Sequence, residues 1–348
     1  MAIKKKTDPK GASDAGSAGS AGSAGNAALD REMLHSMLLQ RRYEEKVGEA
    51  YALGKVGGFC HLYIGQEAVS TGIIGQLRED DYVIGTYRDH GQALVRGITP
   101  RAIMAELFGR IDGCSRGKGG SMHMFDRNTN FLGGHGIVGS HLPIAAGVGF
   151  AIKYRGGDQV IACFMGDSVV NIGAFHEALN MAALWKLPCL FVIENNRYGM
   201  GTAVERAAAV DDLSQRAHGY RGMDGIVVDG MDVHAVRAAT AKAIERARKE
   251  SLPSLLEVRT YRFRGHSMSD AVSGTYRPKE ELDEYQRLDP VFSLKAQMIA
   301  AGSLTEKAWG EMEAEIAAVV QDAWDFADQS PEPPPAALYE DVLVDTTS

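Results

Sequence analysis

The stretch DQVIACFMGDSVVNIGAFHEALNMAALWKLPCLFVIENN, residues 158–196, decides the fold. It opens on an apolar run (158–165) and passes through Gly166-Asp167-Ser168. Helical spacing follows over 170–187, stops at Pro188, and gives way to a second apolar run over 190–196. Strand, helix and strand in that order make a crossover unit whose strands lie parallel. Asp167 and Asn196 are 196 − 167 = 29 positions apart, one helix plus one strand. The unit therefore sets both side chains at one edge of a sheet.

Working outward, the same alternation continues. DYVIGT (81–86) reads as a strand ending at Tyr87-Arg88-Asp89-His90. A Gly-rich stretch from GKGGSMHM to GGHGIVGS (117–140) leads into LPIAAGVGFAIKY, a helix with Pro143 in its first turn. GIVVDG (225–230) and LLEVRTYRF (255–263) are further strands, and DVHAVRAATAKAIERARKE (232–250) lies between them as a helix. Strands separated by helix-length segments give an α/β fold, a parallel sheet flanked by helices. The C-terminal region reads as mostly helical, with a capping box at Ser303-Leu-Thr-Glu306. Residues 11–26 repeat a Gly-Ser-Ala triplet that buries nothing, so residues 1–27 are expected to form a disordered arm. One domain then spans 28–348, and its first helix is expected to run from an N-cap at Asp30 to about Tyr51.

Composition narrows the function. The chain has 348 residues, 45% hydrophobic and 24% charged, with a net charge of −8. A broad attraction to nucleic acid or to an anionic membrane is not expected, so any phosphate binding must be local. No apolar run approaches the length of a membrane span. The start, MAIKKKTDPK, has neither an apolar h-region nor Arg-rich amphipathic spacing. No signal or transit peptide is expected, and the expected location is cytoplasmic. Cys60, Cys114, Cys163 and Cys189 are widely spaced without C-x-x-C, which fits a reducing compartment and argues against zinc.

In a parallel α/β sheet, ligands bind at the carboxyl ends of strands. Four such ends carry polar groups: Tyr87-Arg88, Gly166-Asp167, Glu194-Asn195-Asn196 and Gly265-His266-Ser267. A few hard oxygen ligands suit Mg²⁺, which completes its shell with phosphate oxygens and water. Arg88 offers a forked donor to phosphate, and the helix start after Asp167 adds free backbone N–H groups. The reading is that Asp167 holds a metal and the metal holds a diphosphate. No G-x-G-x-x-G joins a first strand to a helix, which disfavours a nicotinamide-dependent dehydrogenase.

Gly166-Asp167 followed by Asn195-Asn196 resembles the thiamine-diphosphate signature. GFCHLYIGQEA (58–68), GKGGSMHM (117–124), NMAALWKLP (180–188), ENNRYGMGT (194–202) and YRFRGHSMSD (261–270) resemble the alpha subunits of the pyruvate dehydrogenase first component. These belong to the thiamine-diphosphate-dependent 2-oxoacid dehydrogenases, and the resemblance covers roughly residues 30–340. It implies thiamine diphosphate and Mg²⁺ as cofactors, with Asp167, Asn196 and the Tyr198 carbonyl on the metal. It implies contacts from Tyr87, Arg88 and His266 to the diphosphate, with Gly166, Ser168 and Val169 beside them. It places Gly136 and Val138 at the aminopyrimidine and His61 facing the substrate. His61 and His266 are the implied catalytic residues, His266 aiding transfer of the acyl group to a lipoyl arm. Ser267 matches a serine phosphorylated in mitochondrial relatives, although a plain loop serine is the preferred reading.

The implied activity is oxidative decarboxylation of pyruvate with reductive acetylation of a lipoyl group. The implied partners are a beta subunit, in a heterotetramer of two alpha and two beta chains, and the lipoyl domain of a dihydrolipoyl acyltransferase. The beta subunit would supply the glutamate that the pyrimidine needs. Two departures stand out: Ser168 where the family usually has Gly, and Ile172 where a polar Gln or Glu is common. Alternatives are an acetoin or branched-chain 2-oxoacid dehydrogenase alpha subunit, or a noncatalytic assembly subunit.

Overall fold

The structure is a computed structural model that describes residues 21–340 and 342. Its main sheet contains β1 (Tyr82–Thr86), β2 (Phe131–His135), β3 (Ile161–Gly166), β4 (Cys189–Asn195), β7 (Asp224–Asp229) and β8 (Ser254–Arg259). They run parallel in the order β2-β1-β3-β4-β8-β7. A two-residue hairpin, β5 (Tyr198–Gly199) and β6 (Thr202–Ala203), stands apart just after β4.

Both faces of β1, β3, β4 and β8 are buried, which is why these strands read as continuous apolar runs instead of alternating ones. The period of two survives as a choice of face. Val83, Ala162, Phe164, Leu190, Val192, Leu256 and Val258 enter one core. Ile84, Ile161, Cys163, Met165, Phe191, Ile193 and Leu255 enter the other. Each fully buried Leu, Ile or Phe contributes about 1.5–3 kcal/mol relative to exposure. The first core is closed by α1 (Ala21–Ala52), α2 (Glu67–Ile74), α3 (His90–Arg96), α4 (Pro100–Leu107) and α8 (Val233–Glu250). The second is closed by α5 (His141–Tyr154) and α6 (Gly173–Trp185). The short α7 (Val204–Ala207) follows the hairpin.

Helix ends follow the local chemistry. Asp232 caps α8 by accepting from His234 N and Ala235 N, and Thr99 caps α4 ahead of Pro100. α6 ends at Lys186 in the left-handed region (φ 52°), and Pro188 stops any continuation. The C-terminal region is helical: α9 (Lys279–Arg287), α10 (Pro290–Ala300) and α11 (Glu306–Gln329).

Three expectations need correction. The capping box does not form: Thr305 caps α11 through Ala308 N, and the Ser303 hydroxyl donates to the Met298 carbonyl. Asp30 lies inside α1, which begins at Ala21, so it caps nothing. Of the expected arm, residues 21–27 stand at the start of α1, and residues 1–20 lie outside the described residues.

Candidate active site

The carboxyl ends of β1, β3, β4 and β8 converge on a cavity of 640 Å³. β3 and β4 pair with Gly166 opposite Glu194, so Asp167 and Asn196 leave the sheet side by side. His61, Tyr87, Arg88, Gly136, Val138, Gly166, Asp167, Ser168, Val169, Asn196, Tyr198 and His266 all line this cavity. Gln66, Gly199, Met200, Arg262 and Asp270 line it too and were not singled out from the sequence. Arg262 sits inside the quoted YRFRGHSMSD. Its signal is a basic residue three positions past the end of β8, directly after Tyr261, which is too generic to select by spacing.

One side of the cavity is rich in oxygen. Asp167 is 3% exposed, and burial lifts its carboxyl to about 6 despite opposing hydrogen bonds from its own backbone and from Ser168. The Asn196 amide donates through Nδ2 to Gln66 Oε1 at 2.9 Å, which fixes its orientation and makes Oδ1 the acceptor atom of the side chain. Asn195 turns away, bonding Glu257 and accepting from Arg197 N, so only the second asparagine serves the cavity. The Tyr198 carbonyl accepts from Arg262 Nη1 at 3.3 Å, and the same nitrogen lies 3.5 Å from Asn196 Oδ1. Among the described residues no group of three or more His, Cys, Asp or Glu side chains forms a metal cluster. The set here is one carboxylate, one amide and one carbonyl.

Two cationic groups adjoin these oxygens, Arg262 in direct contact with two of them. Arg88 is buried and donates to the Leu62 and His266 carbonyls at 2.6 and 2.7 Å. Burial, then the charge of Arg262, lowers it to about 10. Arg262 is held by carbonyls of Tyr198 and Met200 and by the Tyr276 hydroxyl. Two guanidinium groups held by neutral acceptors favour an anion between them. Glu194, at the base, receives hydrogen bonds from the Tyr63 hydroxyl and Gln92, and burial raises it to about 7.

His61, Tyr87 and His266 form an aromatic triangle with ring centroids 4.5, 5.2 and 5.8 Å apart. Burial and then Arg88 push His61 down to about 3 and His266 to about 4, so both imidazoles are neutral at pH 7. His61 Nδ1, His266 Nδ1 and Gln66 Nε2 are buried without a hydrogen-bond partner. All three belong to side chains that line the cavity, and a buried polar atom left unpaired is costly. The residues thus fit an anionic, heteroatom-rich cofactor with a hard cation.

The two departures also find their places. Ser168 lies in a 3₁₀ turn (Asp167–Asn171) and is not among the positive-φ residues, so no glycine-only backbone is needed there. Ile172 sits against Gly139, whose φ of +79° and contact with Ile172 Cδ1 leave no room for a Cβ. The expected polar contact is replaced by packing that backs the turn carrying Gly136 and Val138.

These features define a class: α/β proteins that bind an anionic cofactor in a crevice at the carboxyl edge of a parallel sheet. The family profile "Dehydrogenase E1 component" matches residues 35–336. The chain is 49% identical over 316 residues to the pyruvate dehydrogenase E1 component subunit alpha of Rhizobium meliloti, covering 90% of each chain. It is 48% identical to the Zymomonas mobilis subunit of the same name, covering 90% of this chain and 88% of the relative. It is 45% identical to the chloroplastic subunit alpha-3 of Oryza sativa, covering 90% and 75%. The chain belongs to the dehydrogenase E1 component family, whose cofactor is thiamine diphosphate.

Proposed function

We propose that this chain is the alpha subunit of a pyruvate dehydrogenase first component, acting in thiamine-diphosphate-dependent oxidative decarboxylation of pyruvate. The observation that carries the reading is the convergence of Asp167, Asn196 and the Tyr198 carbonyl with Arg88 and Arg262 in one cavity. Asp167, Asn196 Oδ1 and the Tyr198 carbonyl would hold Mg²⁺, and Tyr87, Arg88 and His266 would meet the diphosphate. Thiamine diphosphate, when bound, supplies a sink for the electron pair left by decarboxylation.

This chain's own residues do the rest. The guanidinium groups of Arg88 and Arg262 supply positive potential with little reorganisation, because backbone carbonyls already fix them. His61 and His266, neutral at pH 7, each keep one imidazole nitrogen able to accept a proton. Gly136 and Val138 offer backbone groups to a pyrimidine at the cavity wall, and Gly166, Ser168 and Val169 line the approach beside Asp167.

The cavity mouth is open, with Phe59, Val138 and Met200 exposed around it at 63%, 45% and 64%. We infer that a beta subunit covers this rim and supplies the glutamate, in an assembly of two alpha and two beta chains. The lipoyl domain of an acyltransferase would then reach the covered site, and four free cysteines suit a reducing, cytoplasmic setting.

The test is Asp167→Ala in the assembled alpha–beta complex, assayed with pyruvate, acetoin and a branched-chain 2-oxo acid and an artificial electron acceptor. Wild type should prefer pyruvate, and the variant should lose Mg²⁺-dependent cofactor binding with its turnover. Turnover by the purified alpha chain without a partner, or full activity of the variant, would refute the reading.

A further inference from the structure

The 167–172 turn and the hairpin of β5 and β6 meet at one atom. Ser168 Oγ lies 3.3 Å from Asp167 Oδ2 and is placed to donate to it. The same oxygen lies so close to Gly199 that a Cβ there would come within 1.8 Å of it, and within 3.9 Å of Asp167 Oδ2. Gly199 directly follows Tyr198, whose carbonyl is one of the three oxygens gathered in the cavity, and it pairs with Thr202 across the hairpin. Ser168 is also exposed to the cavity, so its hydroxyl is not fixed by burial and its contacts are chosen locally.

We propose that Ser168 is a positioning residue of the cation site: its hydroxyl orients the Asp167 carboxylate, and its seat on Gly199 fixes the hairpin that presents the Tyr198 carbonyl. The inference rests on the cation reading above. A glycine at 168 would offer neither the hydrogen bond nor the contact. A residue larger than glycine at 199 would occupy the space the hydroxyl needs. Residues 168 and 199 are therefore coupled: the serine requires the glycine, and the glycine has no steric role once the serine is gone. Metal ligands are commonly oriented by such outer hydrogen bonds, whose removal weakens metal binding about 10–100-fold.

The experiment measures Mn²⁺, in place of Mg²⁺, binding to the alpha–beta complex with thiamine diphosphate, read from the electron paramagnetic resonance signal of free and bound Mn²⁺. Ser168→Gly and Ser168→Ala should each weaken Mn²⁺ binding about tenfold, and Ser168→Thr should restore it to within about twofold. Gly199→Ala should weaken binding in the wild-type background but add less than about twofold to Ser168→Gly. Thermal unfolding of each variant confirms that the complex is intact. Unchanged binding in Ser168→Gly and Ser168→Ala would overturn the proposal. So would an equal penalty from Gly199→Ala in both backgrounds. Asp167→Ala separates the two readings: if it leaves Mn²⁺ affinity unchanged, the cation site itself is wrong. If it abolishes binding while Ser168→Gly does not alter it, only the role of Ser168 falls.

Discussion

His61 and His266 line the cavity as neutral rings because burial and the neighbouring Arg88 both disfavour the imidazolium. Histidine-ring NMR of the chain should show no titration of either residue between pH 8 and about pH 5. A midpoint near the ordinary 6.5 for either would remove its electrostatic basis. The sign of the linkage follows: each folded pKa is depressed, so protonation favours the unfolded chain, and stability falls as pH drops from 6.5 toward 4 for His266 and toward 3 for His61. Asp89 behaves in the opposite way. It is fully buried, neither carboxylate oxygen has a hydrogen-bond partner, and burial lifts it to about 7. Its contribution is greatest below the ordinary carboxyl range and declines as pH rises toward 7. Asp89→Asn should therefore gain stability relative to wild type between pH 5 and pH 8, on the order of 2 kcal/mol. Urea unfolding across that range measures it, and parallel stability curves for the two proteins would contradict the assignment.

Among the elements, the segment after α4 is organised by a single side chain. Glu106 is fully buried, and its carboxylate accepts from the backbone N–H groups of Ser115, Gly117, Gly119 and Gly120 at 2.7–3.0 Å. Gly117 and Gly120 supply the positive φ values (74° and 60°) that let successive N–H groups turn inward. This turn leads to Met122 in the cavity wall. Glu106→Gln replaces one acceptor oxygen with a donor facing other donors, so it should cost about 3 kcal/mol or more in urea unfolding. Limited proteolysis should then cut within 113–124, and unchanged resistance there would show that the turn does not depend on the carboxylate. The glycines of GKGGSMHM could be read from the sequence as a turn. Their shared acceptor could not, because Glu106 precedes them on a helix and carries no local mark.

For the whole molecule, burial ranks the strands. β4 is buried along its full length and β3 nearly so, whereas β7, at one edge, is mostly exposed. Hydrogen exchange of the chain should be slowest in β3 and β4 and fastest, within this sheet, in β7. Equal protection of β7 and β4 would contradict that ranking. The order β4-β8-β7 also matters for the site. The last strand in sequence is inserted beside β4, which brings Arg262 and His266 into the same cavity as Asp167.

The sequence alone determined the crossover unit, the parallel α/β class and the strand ends that meet at the cavity, because short-range periodicity and strand-end chemistry are local properties. It did not show β2: FLGGH has too few side chains to carry a period, and the strand exists because β1 offers it a backbone partner. Nor did it decide where Gln66, Arg262 and Gly199 would lie, or that Ser168 would rest on Gly199. Those are contacts between segments far apart in the chain, and only the packed sheet and its loops bring them within bonding distance.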